Sequence, residues 1–564
     1  MSLKAFLPTD YTYQVPLFPA YTSFCFTVMQ PTGETRHFVN KRRMWMKRKK
    51  QLSLSNTPSH IHLDHLHQAT PSTPLLDRIS ELPKDVLCHI LSLLPMQMAI
   101  QTSILSTRWR HLWKSTHVVD FHDLPFSARK PVDYTPITRC LDSLESPNIK
   151  SFTVVGHIGH RSHPDVRRWV EFAFSKNVET LRIGLMQISF PVKFSLLPRS
   201  FFTKNDQTQK IKVLLLSHVD FIPPRGVTFS GSGFVSLQSL SLTNCKLVDG
   251  TVESLLRKCL VLEVLVLDSC FGLIRVNISG PNLKLKQLTF MRNLFDEEED
   301  MLFEVDAPGL ATLKYSGDLT MIRLKNCEGL GEIILLGELE EVHQEIINHI
   351  SELINQVTHV KILGVNLQFL QFVGSEFYTR GLPFLIFQNL QHLIWCGSLK
   401  SQNAVYNLVS FLGDCPCLET CEIDFRQQYY WAAFCETVWE SILKPTFVMG
   451  EGAQYQLNQG RYLKKLKSVR VLCFSGFDGE MMLVQLLLGK AVNLQKLELL
   501  WQNHPSDMTD NVLQIVIRQT LPKRYPNPDL VATHLKKTWI EDWVTRLPRA
   551  SPNAQVLFKS RWKF

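Results

Sequence analysis

Three clusters in the sequence hold side chains able to bind a metal. "HIHLDHLH" sets His60, His62, His65 and His67 beside Asp64. "GHIGHRSH" spaces His157, His160 and His163 three apart, after a strand-like run. Cys415 and Cys417 lie close together, with Cys421 nearby. Imidazole and thiolate groups hold zinc when four of them converge in tetrahedral geometry. The first cluster has no fixed geometry, the second lacks a carboxylate or cysteine partner, and the third has no second pair at zinc spacing. The histidines read as solvated loops and the cysteines as small core hydrophobes. No phosphate-cradling Gly-rich loop, HExxH or nucleophile motif is present. The residues therefore point away from an enzyme, and no cofactor is expected.

Charge is the next candidate for chemistry. The net charge is +10, and residues 1–74 carry nine Lys/Arg against three Asp/Glu. Most of that excess is "KRRMWMKRKK", Lys41 to Lys50. Such a run suits a solvated segment, an import signal or a weak nucleic-acid patch. The rest of the chain is close to balanced, which disfavours a nucleic-acid-binding surface. Thirteen cysteines form no dense framework, which suits reduced thiols in the nucleus, the cytoplasm or both. No apolar run of about 18 residues exists, so no membrane span is expected. The stretch Tyr11 to Met29 comes closest, and its two prolines, Gln14 and hydroxyls break it.

What would position these groups is a repeat. The template is apolar-x-x-apolar-x-apolar, with a small or amide residue three positions on. Leu237, Leu240, Leu242 and Cys245 recur 25 residues later as Leu262, Leu265, Leu267 and Cys270. They also occur 26 residues earlier as Ile211, Leu214, Leu216 and Val219. The three-residue core recurs at Ile149/Phe152/Val154, Val178/Leu181/Ile183, Leu285/Leu288/Phe290, Leu310/Leu313/Tyr315, Leu330/Ile333/Leu335 and Val357/Val360/Ile362. It continues at Leu390/Leu393/Trp395, Leu418/Cys421/Ile423, Leu466/Val469/Val471 and Leu494/Leu497/Leu499. This is a leucine-rich-repeat period. Each copy gives one short strand and a return segment, and cannot bury its own apolar side, so neighbours stack. The fold class is α/β: an irregular solenoid, or horseshoe, with uneven return helices and loops.

Ahead of the repeats stands "DRISELPKDVLCHILSLLPMQMAIQTSILSTRWRHLW", residues 77–113. Pro83 suits a helix start, where its missing N–H costs nothing. Val86, Leu87, Ile90, Leu91 and Leu94 then share one helical face. Pro95 ends that helix, a second carries Ala99 and Ile100, and Ser106 is a candidate N-cap for a third with Trp109, Leu112 and Trp113. Three helices in about 40 residues cannot make a self-sufficient core. One face should dock on the first repeats, and another should await a partner.

"LPKDVLCHILSLLP" followed by "AIQTSILSTRWRHLW" resembles the plant form of the F-box. With the repeats behind it, the chain is similar to the plant F-box/leucine-rich-repeat family. "FSGFDGEMMLVQLLLGKAVNLQKLEL" (474–499) and "LPRASPNAQVLF" (547–558) look like that family's C-terminal FBD region. The connection between the two is longer than the family's usual one and includes "LPKRYPNPDL" and "ATHLKKTWIEDWV". The expected organisation is a tail over 1–75, a three-helix F-box over 76–121, and a solenoid over 122–500 with FBD-like repeats from about 461. An insertion over 501–545 and a C-terminal element over 546–564 follow. The resemblance implies a substrate receptor of a Skp–cullin–F-box ubiquitin ligase. The F-box would bind a Skp-type adaptor, and through it a cullin, while the repeats hold a target protein. Candidate adaptor contacts are Leu82, Pro83, Val86, Leu87, Ile90, Leu94, Ile100, Leu105, Trp109 and Leu112. The rival is a repeat scaffold with no ligase role.

Strand side chains alternate, so non-core positions face the concave side. There the early and middle copies place Val213, Leu215, Val264, Val266, Ile334 and Leu336. Later copies place His392, Glu422, Asp424, Arg470, Lys496 and Glu498. A bare apolar strip is a liability, so either return loops cover it or a ligand does. The functional reading makes Val264 and Val266 a groove centre, with His392, Glu422, Asp424 and Arg470 towards a charged rim. A separate prediction concerns the tail. If "KRRMWMKRKK" is an import signal, neutralising its seven basic residues shifts a fluorescently tagged chain toward the cytosol. An unchanged distribution leaves it a solvated run.

Overall fold

The computed structural model describes residues 79, 81–124, 134–157, 163–186, 197, 199–202, 210–223, 234–280, 282–292, 301–338, 344–367, 369, 387–397, 399, 402–425, 462–501 and 530–560. The basic run, the "HIHLDHLH" cluster and His160 lie outside them. The described residues fall into two compact units, 79–172 with 185–186, and 173–184 with 197–560.

In the first unit, Pro83 (φ −54°, ψ 149°) precedes the helix Lys84–Ser92, and its carbonyl accepts from Val86 N and Leu87 N at 3.1 Å. Pro95 does the same for Met96–Gln101, accepting from Ala99 N at 2.9 Å. Each proline fixes φ near −54° just before a helix, and Pro95 also separates the first helix from the second. The expected third α-helix is instead a chain of tight turns ending in a 3₁₀ turn, Leu112–Ser115. Its bonds run i→i+3: Trp109 N to Ser106 O, Leu112 N to Trp109 O, Lys114 N to His111 O and Thr116 N to Trp113 O. Ser106 therefore caps through its carbonyl, and its buried hydroxyl has no hydrogen-bond partner. The segment is tied back to the first helix, with Arg108 Nη2 donating to Leu82 O at 2.6 Å and Cys88 Sγ to Leu112 O at 3.9 Å. The tighter 3₁₀ geometry lets a short piece meet both anchors.

Leu87, Cys88, Leu91, Ala99, Trp109 and Leu112 form the core of this helical part. Six side chains, each large one contributing roughly 1.5–3 kcal/mol, make a small core. The helix Met96–Gln101 extends it by packing on strand β1 (Val118–Leu124). β1 pairs in parallel with β2 (Ser151–His157), setting Val119 opposite Phe152 and Phe121 opposite Val154. β1 is thus already a repeat strand, and it straddles the expected boundary at 121.

The second unit is a ladder of parallel strands. In chain order they are β3 (Thr180–Met186), β4 (Val213–Ser217), β5 (Ser239–Thr243), β6 (Val264–Asp268), β7 (Arg275–Ser279), β8 (Gln287–Met291), β9 (Leu302–Asp306) and β10 (Thr312–Asp318). β11 (Ile322–Lys325), β12 (Glu332–Glu338), β13 (Ile362–Asn366), β14 (His392–Cys396), β15 (Thr420–Asp424), β16 (Ser468–Phe474), β17 (Lys496–Trp501) and β18 (Gln555–Ser560) follow. All except β7, β9 and β11 lie side by side in one sheet.

The template residues stand in register, Leu214 beside Leu240, Leu265, Leu288, Leu313 and Ile333 in turn. One copy was misplaced. Ile333 pairs with Leu363 and Leu335 with Val365, so the copy reads Val360/Leu363/Val365, three residues after Val357/Val360/Ile362. Val357 ends the helix Gln344–Val357, whose own apolar period runs into the strand and imitates the template. The C-terminal element adds a further rung, Val556 beside Leu497 and Phe558 beside Leu499.

At several strand ends a single residue turns into the left-handed region: His218 (φ 58°), Asn244 (51°), Ser269 (52°) and Asn326 (46°). Asn244 N then donates to Asp268 O of the next rung at 2.8 Å, and His218 N to Thr243 O at 2.9 Å. The small residue that follows points inward. Cys245 Sγ meets Leu216 O and Thr243 O, and Cys270 Sγ meets Leu242 O and Asp268 O. Carbonyls freed by the turn thus find donors away from water.

Return segments were expected to be helices and loops. Three of them are instead β7, β9 and β11, a second parallel sheet with β9 in the middle. Its sequence signal is alternation, with Val276, Ile278, Phe303, Val305, Ile322 and Leu324 buried. Glu253 and Asp249 satisfy backbone N–H groups at the β7 edge, accepting from Asn277 N at 2.8 Å and Ile274 N at 2.9 Å.

The end of the expected insertion is also built in. Within the helix Leu530–Arg546, Ile540 and Val544 are fully buried, and Glu541 accepts from Trp501 Nε1 at 3.2 Å. Gly476, at φ 73°, lies against Ile540, and a Cβ there would collide with it. Gly250, at φ 80°, has nothing within 4 Å of the same position. Gly476→Ala should therefore cost about 2–3 kcal/mol, and Gly250→Ala only about 1 kcal/mol. Denaturant unfolding checks this, and equal costs would show that the helix does not press on Gly476.

Candidate functional site

Two apolar stripes run along the helix Lys84–Ser92. Leu87, Cys88 and Leu91 form the buried one. Val86 and Leu93, seven residues apart, lie on another, at 42% and 52% exposed, with Ile90 half-buried between them. Past the second helix Ile104 is 86% and Leu105 65% exposed, and Ile79 before the first is 59% exposed. A small unit with this many bare large apolar side chains is prepared for a partner.

The structure divides the ten candidate adaptor residues. Leu87, Trp109 and Leu112 are buried in the core and offer no surface, so their expected adaptor contact is corrected to a packing role. Leu82, Ile90, Leu94 and Ile100 are half-buried, and Pro83, Val86 and Leu105 are exposed. Sequence reading omitted Leu93, Ile104 and Ile79. Leu93 could have been found from its helical spacing to Val86.

On the second unit, the face opposite the core carries no continuous bare strip. Ser239 lies between Val213 and Val264, and Ser241 between Leu215 and Val266. Val264 and Val266 are half-buried, while Ile334 (3% exposed) and Leu336 (8%) are covered. Ile334 fills the space left by Gly364 on the neighbouring strand, where a Cβ would come within 2.8 Å of it. Covered packing therefore describes the middle of this face.

The charged end is different. Glu422, Arg470 and Glu498 stand side by side on β15, β16 and β17. Arg470 Nη1 reaches Glu422 at 3.2 Å and its Nε reaches Glu498 at 3.3 Å. Lys496 Nζ approaches Glu498 Oε1 at 2.7 Å, and Lys559 Nζ from β18 meets the same oxygen. Burial alone would raise the Glu498 pKa. Hydrogen bonds from Lys496, Lys559 and Arg470 outweigh it and hold the carboxyl at about 2. His392 bonds Thr420 Oγ1 at 2.6 Å, and burial keeps its pKa below the usual imidazole value. Asp424 is 1% exposed and so belongs to the interior, not to a rim.

Among the described residues no group of three His, Cys, Asp or Glu could hold a metal. Cys415 and Cys421 are buried, with burial pushing both thiols up, and Cys417 takes a contact from Lys465 Nζ at 3.5 Å. No described helix is long and apolar enough to cross a membrane.

Comparison with known proteins agrees with this layout. Residues 79–120 match the F-box domain, and residues 148–512, more than half of the chain, match the family described as At1g61320/AtMIF1, LRR domain. The chain belongs to the F-box/leucine-rich-repeat family. It is 30% identical over 347 residues to putative F-box/LRR-repeat protein At3g18150 of Arabidopsis thaliana, covering 59% of this chain and 68% of that one. F-box/LRR-repeat protein 25 of the same plant is 32% identical over 241 residues, 42% of this chain and 85% of that one. Against putative F-box/LRR-repeat protein At5g02700 the match is 32% over 193 residues, 34% of this chain and 39% of the relative. The chain thus spans well under half the length of that relative. In this F-box/leucine-rich-repeat chain the exposed stripe lies within the matched F-box and the Glu422–Arg470–Glu498 ladder within the matched repeats.

Glu498 also supplies a pH test. Its folded pKa lies below the ordinary 4.5, so its stabilisation is complete above about pH 4.5 and is lost as pH falls toward 2. Glu498→Gln should lower denaturant stability by about 1–3 kcal/mol at pH 7. The gap to the parent chain should narrow by about 1 kcal/mol at pH 3.5. A gap independent of pH would show that the carboxylate charge contributes nothing.

Proposed function

We propose that the chain is the substrate-receptor subunit of a Skp–cullin–F-box ubiquitin ligase. The observation that carries this reading is the second, exposed apolar stripe of Val86 and Leu93, together with Ile104 and Leu105. A scaffold built only of repeats has no need of it. The adaptor would cover these side chains, and a cullin would join through the adaptor. The repeats would hold a target protein on the face that carries the charged ladder. The contribution is effective concentration and orientation, with the bond chemistry left to the ubiquitin-loaded enzyme. Function in the nucleus, the cytoplasm or both fits this role.

Because Val86 and Leu105 are exposed, changing them spares the core. Val86→Asp with Leu105→Asp should weaken adaptor binding at least about 30-fold, the loss of one interface anchor of about 2 kcal/mol. Calorimetry with a purified Skp-type adaptor reads this directly. Unchanged affinity in a folded double variant, or no binding by the parent chain, returns the protein to the scaffold class.

A further inference from the structure

The charged ladder has a layered build that structural pairing alone does not require. Glu498 is the floor, 5% exposed, and Glu422 keeps 23% of its side chain exposed. Arg470 bridges the two, and Lys496 and Lys559 join it on Glu498, with 53%, 44% and 49% of their side chains exposed. Three cations thus meet two carboxylates, and the cations are the more exposed groups. Glu498 contacts all three, which fixes their positions before any ligand arrives.

We propose that this face of β16, β17 and β18 takes an acidic segment of the target protein, binding its Asp and Glu carboxylates. The proposal rests on the reading that the repeats hold the target. Arg470 and the two lysines are already ordered by Glu498, so binding a carboxylate costs little further side-chain entropy. The cations span three neighbouring strands about 4.8 Å apart, a width that about three residues of extended peptide cover. Glu422 lies beside Arg470 on the same face and repels any anion, so the bound charge has to be confined to the three cations of β16 to β18, which a short acidic run allows and an unbroken phosphate backbone does not. Leu557, beside Glu498 on β18 and half-buried, offers an apolar neighbour to an acidic side chain's flanking residue.

The test uses the full chain and a fluorescein-labelled (Glu-Asp-Leu)4 peptide, followed by anisotropy at low and moderate salt. Controls are a Gln/Asn counterpart, a phosphoserine counterpart and a single-stranded DNA of similar charge. The acidic peptide should bind in a salt-dependent manner and the Gln/Asn peptide should not. Lys559→Gln should weaken binding about threefold or more, and Arg470→Gln with Lys496→Gln about tenfold or more. Lys559 lies on the last strand with its outer half in solvent, so its variant tests the idea even if the double change unfolds. The proposal is overturned if both variants fold and bind as the parent does, or if the Gln/Asn peptide binds equally. Tighter binding of the phosphoserine peptide or the DNA overturns it in favour of those ligands. Adaptor affinity, measured on the same samples, reports on the receptor reading separately: its absence beside intact peptide binding removes the ligase and keeps the acidic site.

Discussion

No rung of this protein can bury its own leucines. Each strand offers two or three inward side chains, and Leu240 is flanked by Leu214 and Leu265 of the neighbouring rungs. That dependence governs the rest. Register has to hold from strand to strand, because a slip of one residue would turn the leucines outward. The single left-handed residue after a strand, as at Asn244 and Ser269, bends the chain away where the rung ends. The small side chain after it then meets carbonyls of its own rung and of the rung before. Cysteine serves here as a compact apolar donor, which accounts for the burial of Cys245, Cys270 and Cys327.

The same parallel stacking brings charges together. Glu422, Arg470 and Glu498 are separated by dozens of residues in the chain, yet they are immediate neighbours across the sheet. A carboxylate as buried as Glu498 would be costly alone, and three cations remove most of that cost. Their own exposure remains. The arrangement is therefore both a clamp on the last four strands and a positive surface.

The F-box solves a different problem with the same few residue types. Its helix Lys84–Ser92 is apolar over a wider arc than its small core can cover. Leu87, Cys88 and Leu91 satisfy the core, and what remains, Val86 and Leu93, is available to another protein. A wholly buried helix of this composition would be stable but could recruit nothing.

Much of this was legible from spacing. Twelve of the thirteen three-residue cores lie on the strands expected, because a strand's inward positions must be apolar at fixed offsets. The two prolines and the first two helices were readable for a similar local reason. Tertiary structure decided the rest. Val357 matched the template but belongs to a helix, since an apolar residue satisfies either period. The third F-box helix became 3₁₀ turns because Arg108 and Leu112 are held by groups 26 and 24 residues away. Val264 and Val266 suggested a bare strip with Val213 and Leu215, but Ser239 and Ser241 of the intervening repeat separate the two pairs. Asp424 is interior and Glu498 is a floor, because cross-strand neighbours determine burial. Local pattern therefore determined which residues form rungs, while the identity of each rung's neighbours, contributed by distant chain, decided which side chains are exposed to a partner.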